Sequence, residues 1–365
     1  MFRVDLNLKN LQLTTQFALI NHQPMKLNLM KQLIGLFFIV ASSQLFGQKL
    51  ADKYIDEGIA YHDQGEYTLA VESYQHALYL NDSSSLAHYE LAMTYMYMEE
   101  YDSSLAHSNK VIDLNNGHLL PAYLIKANNL DALGKSNEAI KVYQYILKNF
   151  KEDHMVYYNL ALTQSNLGRT EEAIDNLIKG INLYQMHPSS HLLLGNLLNA
   201  AENKVQSILS LHFFLLLEPN SQRSADALEL LKEQLAGNAE QTGENSMNII
   251  LNPAALDKKN EFGSAEVMLS MLAATNMTAK KEGASDMELF ISNNNSIFKI
   301  LGELKKKKNK GLWWEFYIPF YYDLAKSKHL DTYCRYISQS ESTEAGEWIY
   351  THEKELAAFD EWLSK

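Results

Sequence analysis

At 365 residues and 46% hydrophobic content, the chain has room for two or three domains and a normal globular composition. Six prolines and sixteen glycines argue against an all-β chain full of tight turns and for long helices. A net charge of −12 argues against nucleic acid or anionic lipid as partner, and the single cysteine, Cys334, excludes an intramolecular disulfide and a thiolate metal cage.

The first predicted element is a leader over residues 1–47. Lys26 and Lys31 precede the apolar run Leu33–Ala41, and Ser42, Ser43 and Gly47 follow it. A charged start, a short apolar stretch and a small-residue zone are the three parts of a secretory signal peptide. The run has nine residues, whereas a bilayer span takes about 20. Cleavage is expected near Gly47–Gln48, with translation starting at Met1, Met25 or Met30, and the product periplasmic or secreted. Losing four basic residues and one acid with the leader moves the charge from −12 to −15.

Next comes a repeat. Small residues recur at Gly58, Ala92, Ala127, Ala161 and Gly195, spaced by 34, 35, 34 and 34. A second small series follows twelve positions later, at Ala70, Ser104, Ala139, Ala173 and Ser207. An aromatic residue or histidine stands four positions before the first series, at Tyr54, His88, Tyr123, Tyr157 and His191. Helix backbones approach closely only where side chains are small, so the pattern predicts two antiparallel helices per repeat. Gly65, Gly134 and Gly168 suit the left-handed residue that ends the first helix. One pair cannot bury its own apolar face, so neighbours must stack.

These residues resemble the tetratricopeptide repeat family, with repeats at 51–84, 85–118, 120–153, 154–187 and 188–221. The resemblance implies an all-α fold, a right-handed helical solenoid over 48–236, in which the first helices line a concave groove that binds a protein or peptide. Carried onto this chain, the groove positions are Ile55, Ile59, Tyr89, Met93, Met96, Tyr97, Asn128, Tyr158, Asn159, Leu162, Asn196 and Asn199. Ile55, Ile59, Pro121 and Ile125 stand where the family's carboxylate clamp needs polar and basic residues, so a chaperone-tail adaptor is not expected. Residues Ser224–Leu235 read as a capping helix, because Glu229 occupies the small position.

Residues 237–262 read as a linker and 263–365 as a smaller helical domain of no recognised family. The stretch Gly311–Leu324 (GLWWEFYIPFYYDL) reads as its core helix, with stripes Leu312, Phe316, Phe320, Leu324 and Trp313, Tyr317, Tyr321, kinked or restarted at Pro319. Asn293–Asn295 reads as a helix irregularity, Lys305–Lys308 as a solvated helix end, and Cys334 as a buried thiol. This C-terminal part is one candidate to fill the groove.

No phosphate loop, nucleophile elbow or zinc-protease motif is present, and a metal pair at His187 and His191 is disfavoured because Pro188 breaks the helix between them. The leading expectation is a non-enzymatic envelope scaffold without cofactor or metal, binding a protein or peptide, with no integral membrane segment after cleavage. Two alternatives stand beside it. One is an enzyme using Glu315, Asp323, His329, Asp331 or Arg335; the other is a structural oligomer stacked through terminal repeats, so the oligomeric state is left open.

Overall fold

The computed structural model describes residues 46–236, 239–243, 246–249, 253–256, 260–341 and 343–365. All but the last two residues of the expected leader lie outside them. The chain groups into two compact units, one ending at Ile125 and one running Lys126–Lys365. The boundaries expected near 237 and 263 both lie within the second.

The first unit holds α1 (residues 46–63), α2 (Tyr67–Leu80), α3 (Ser85–Tyr97), α4 (Tyr101–Leu114) and the start of α5 (Leu119–Ala132). The small-residue ladder explains the pairing. A Cβ added at Gly58 would lie 2.4 Å from the Tyr74 ring, so α1 and α2 meet only because residue 58 has none. In the next pair the two small series touch directly: Ser104 Oγ donates to Ala92 O at 2.6 Å. Gly65 ends α1 at φ 78°, whereas Glu99 takes the equivalent left-handed position at φ 60° without a glycine's freedom.

The second unit continues the pairing with α6 (Ser136–Asn149), α7 (His154–Asn166), α8 (Thr170–Leu183), α9 (Pro188–Ala200) and α10 (Lys204–Leu217). Ser207 Oγ donates to Gly195 O at 2.8 Å, repeating the Ser104 contact. Helix α11 (Gln222–Ala236) packs on α10 and in turn against the helices that follow it. The segment read as linker contains an antiparallel hairpin, β1 (Ala239–Gly243) with β2 (Ser246–Ile249), and a 3-10 turn at Pro253–Leu256.

Helices α12 (Gly263–Lys281), α13 (Asp286–Leu304), α14 (Ile318–Lys326), α15 (Leu330–Ile337), α16 (Thr343–Thr351) and α17 (Glu353–Leu363) complete the chain. One hydrophobic core runs from Ala161 to Phe359, so these helices share their interior with the last repeats. The reason lies in α10, where ten of fourteen residues are buried. An ordinary repeat helix keeps one polar stripe for water; α10 (KVQSILSLHFFLLL) has almost none, and it requires cover on every side.

The aromatic stretch supplies part of that cover, with an altered stripe. Residues Trp313–Tyr317 form a π turn in which Ile318 N donates to Trp313 O, five residues back. Pro319 has no N–H to give Glu315 O, and the wider turn accommodates that loss before α14 begins. The extra residue rotates the helix. Trp314, Tyr317, Ile318 and Tyr321 become buried, while Phe316 and Phe320 of the expected first stripe are half-buried.

Candidate functional site

Helices α5, α6 and α7 of the second unit bound a groove of about 550 Å³ lined by Asn128, Asp131, Ser136, Tyr143, Asn159, Leu162, Thr163 and Asn166, among others. Its floor is a polar lattice. The Tyr143 hydroxyl donates to Asn128 Oδ1 at 2.6 Å, and Asn159 Nδ2 reaches the same oxygen at 3.4 Å. Ser136 Oγ and Thr163 Oγ1 donate to the two Asp131 oxygens at 2.6 and 2.8 Å. Fixed amides and a carboxylate beside exposed Leu162 can hold an extended backbone and an apolar side chain together.

The first unit repeats this layout 69 residues earlier with other chemistry. Tyr74, His62, Thr94, Ile59 and Glu90 stand where Tyr143, Asp131, Thr163, Asn128 and Asn159 stand in the second. His62 Nδ1 lies 2.8 Å from Thr94 Oγ1, which donates to Glu90 O at 2.8 Å, so the imidazole N–H is the donor to the threonine. Tyr74 is fully buried, and among the described residues its hydroxyl makes no hydrogen bond of good geometry, with only the Thr94 hydroxyl near it. Ile59 cannot accept the bond that Asn128 accepts. Burial first, then the charge of Glu90, holds the Tyr74 hydroxyl above its ordinary range, against the opposing pull of the neighbouring Thr94 hydroxyl. Burial, then the charge of Asp63, likewise lifts the Glu90 carboxyl.

The sequence model of the family described as tetratricopeptide repeat matches residues 54–84, 86–118 and 156–185. The chain carries tetratricopeptide repeats. A TPR repeat-containing protein of Methanocaldococcus jannaschii is 27% identical over 146 residues, 40% of this chain and 24% of the relative. The chain thus spans about a quarter of the length of the curated relative it matches. Among solved structures, PilF of Pseudomonas aeruginosa is similar at 20% identity and TM-score 0.46, over 52% of this chain and 84% of that one. YrrB, described as a TPR protein with an unusual peptide-binding site, is similar at 18% identity and TM-score 0.40, over 49% of this chain and 90% of that one.

The helix pair α9–α10 packs closely in the same order as the matched repeats, although the family model passes over it. Of the groove positions carried over from the tetratricopeptide family, Asn128, Asn159 and Leu162 come together in the 550 Å³ groove. Tyr158 is half-buried, edge-on to His187 with ring centroids 4.8 Å apart. Asn196 is exposed, and Asn199 accepts from Gln234 of the capping helix at 2.9 Å. In the first unit Ile55 is buried, Tyr89 stacks on His118, Met93 and Met96 are half-buried, and Tyr97 is exposed and stacks on Tyr67. Asp131, Thr163, Glu90 and Thr94 were missed by the sequence reading. The signal that finds them is the same ladder, three or four residues away from Asn128 and Asn159.

The C-terminal helices do not line this groove, whose described walls stop at Asn166. They pack instead on α10 and α11. His191, read as a packing residue, accepts from the Tyr317 hydroxyl at 2.5 Å on Nδ1 and donates from Nε2 to Gln185 O at 2.7 Å. His212 accepts from Tyr333 at 2.9 Å and donates to Asn294 Oδ1 at 2.8 Å. Asn294 is therefore no helix irregularity: α13 runs unbroken, and the buried amide satisfies a buried imidazole.

Burial pushes the Cys334 thiol up to about 12, far from a nucleophile's range. The residues named for an enzyme reading are engaged separately. Glu315 accepts from Lys310 Nζ and Gly311 N, Asp331 pairs with Arg335 one turn on, and His329 packs against Phe359 and Trp362. Lys305–Lys308 are exposed just past α13, as a solvated helix end should be.

Proposed function

We propose that the chain is an exported, non-enzymatic interaction scaffold of the cell envelope, whose tetratricopeptide repeats hold an extended segment of a partner protein along their first helices. Residues 48–236 are the working solenoid in this reading. Residues 263–365 cap it by covering α10 and leave the groove between α5 and α7 open.

The observation that carries the proposal is the groove of about 550 Å³ lined by Asn128, Asn159 and Leu162, described residues of the last repeats and of the C-terminal helices being absent from its wall. Asparagine donates to and accepts from a peptide backbone, so a row of them reads an extended segment independently of its sequence. Tetratricopeptide proteins as a class bind protein and peptide partners, which agrees with this use of the face.

Affinity capture from an envelope fraction tests it, comparing the unsubstituted chain with an Asn159→Ala/Leu162→Ala variant. Loss of a captured partner is expected, and an unchanged set of partners sinks the groove assignment. Export is tested by fusing residues 1–47 to a phosphatase active only outside the cytoplasm; a silent fusion overturns it.

A further inference from the structure

A second cavity of the same unit, about 390 Å³, lies between α11, α12 and α13 and shares no residue with the repeat groove. We propose that it binds a free α-amino acid with an apolar side chain, held as its zwitterion.

Asn293 is the first argument. On α13 it follows Asp286, Leu289 and Phe290 at the spacing i, i+3, i+4, i+7, so the four share one helix face, and all four line the cavity. Asn293 is only 6% exposed, and among the described residues its amide has no hydrogen-bond partner. Its neighbour Asn294 shows the usual outcome, since Asn294 Oδ1 accepts from His212 at 2.8 Å. Asn293 instead leaves two N–H donors and a carbonyl acceptor unused at the cavity wall. A buried amide is nearly always bonded, and a ligand carrying both an acceptor and a donor would complete this one.

The second argument is the balance of charge around the cavity. Lys232 of α11 pairs with Glu341, and Lys280 of α12 pairs with Asp286 at 2.8 Å; all four line the cavity. A simple anion would compete at each lysine with a carboxylate already in place, and a simple cation would meet the same obstacle at each acid. A zwitterion brings both charges and extends the pair it joins, its carboxylate beside an ammonium and its ammonium beside a carboxylate. Lys232 Nζ also stands 5.4 Å from the centre of the Phe290 ring, which holds that ammonium against the apolar wall.

Size and wall decide the class. Leu235, Leu289 and Phe290 give the cavity a buried apolar side, where an aliphatic or aromatic side chain sheds its water. A volume of about 390 Å³ is near the lower end of ligand pockets, which run from about 300 to 1,000 Å³. An α-amino acid carries its two charges on neighbouring atoms, so one small cavity meets both. A peptide separates its terminal charges by about 3.5 Å more with each residue added, and beyond the shortest it presents only one of them here.

Isothermal titration of the purified chain with leucine and with phenylalanine tests the proposal. Both should bind, while N-acetyl-leucine (anion only), leucinamide (no carboxylate) and glycine (no side chain) should each bind at least about tenfold more weakly. Asn293→Ala should weaken leucine binding at least about tenfold with little change in melting midpoint, because its amide has no bond within the chain to lose. Lys280→Met, on the exposed rim, should weaken binding about threefold and gives a variant that does not depend on a buried position. Asn159→Ala/Leu162→Ala should leave binding within about twofold, which separates this site from the repeat groove. The proposal is overturned if neither amino acid binds at about 10 mM, or if Asn293→Ala and Lys280→Met both bind leucine as the unsubstituted chain does. Equal binding of N-acetyl-leucine overturns the zwitterion, and tighter binding of trileucine than of leucine overturns the free amino acid in favour of a peptide end.

Discussion

The two compact units use one repeat scaffold and treat one of its polar groups, the tyrosine that crosses between paired helices, in opposite ways. In the second, the Tyr143 hydroxyl is bonded, and the buried histidines His191 and His212 are each satisfied on both nitrogens. In the first, the equivalent Tyr74 hydroxyl is left open, and Glu90 replaces a neutral amide. Position in the repeat decides where a side chain arrives; a neighbour on the adjoining helix decides whether it finds a partner. Ile59 against Asn128 is that difference.

The largest expected effect tests how firmly the second unit depends on its satisfied histidines. Burial lowers His191 to about 4 and His212 to about 3, so both stay neutral when folded and protonate near pH 6.5 when unfolded. Their stabilisation is complete above pH 6.5 and is lost as pH falls toward the folded values. Two such groups should forfeit about 5 kcal/mol between pH 6.5 and 4.5. Near-ultraviolet circular dichroism reads the second unit selectively, because all four tryptophans lie in the last 53 residues. A melting midpoint unchanged over that range would break the comparison.

Phe298→Ala comes next. Phe298 is fully buried, stacked on Tyr321 and edge-on to His212, so its truncation should cost about 3–5 kcal/mol in chemical denaturation of the same signal. A loss under about 1 kcal/mol would mean that the C-terminal helices do not depend on this contact.

A matched pair of hydroxyl deletions addresses the comparison directly. Tyr143→Phe removes a 2.6 Å hydrogen bond and should cost about 1–2 kcal/mol. Tyr74→Phe removes a hydroxyl that makes no well-formed bond among the described residues, so the folded chain should lose less than about 0.5 kcal/mol. Equal costs at the two sites would show that Tyr74 does find a partner in solution.

The smallest effect is a control in which the units should agree. Glu99 and Glu202 occupy the left-handed helix end filled elsewhere by Gly65, Gly134 and Gly168. Glu99→Gly and Glu202→Gly should each stabilise by about 0.5–1 kcal/mol, measured by denaturation. Different signs would show that the two loops are not equivalent.

Much of the solenoid was legible in the sequence because close helix approach demands small residues, and those recur at a countable interval. Gly58 under Tyr74 and Gly195 under Leu211 are that demand seen directly. The groove was legible in part: Asn128, Asn159 and Leu162 are on one lining, but Asp131 and Thr163 were passed over. Both lie on the same helices, and their role depends on which side chains meet between repeats, a distance of about thirty residues along the chain that periodicity does not resolve.

The sequence by itself determined the repeats, their helix ends and the apolar demand of α10, since all three depend on residues close in the chain. Tertiary structure decided the rest. It placed the C-terminal helices on α10, because that helix had no polar face to leave in water. It turned the aromatic stretch through a π turn at Pro319, and it bonded one repeat tyrosine while leaving its counterpart open. Satisfaction of a buried polar group is a property of the assembled surroundings, and one residue in the adjoining helix is enough to reverse it.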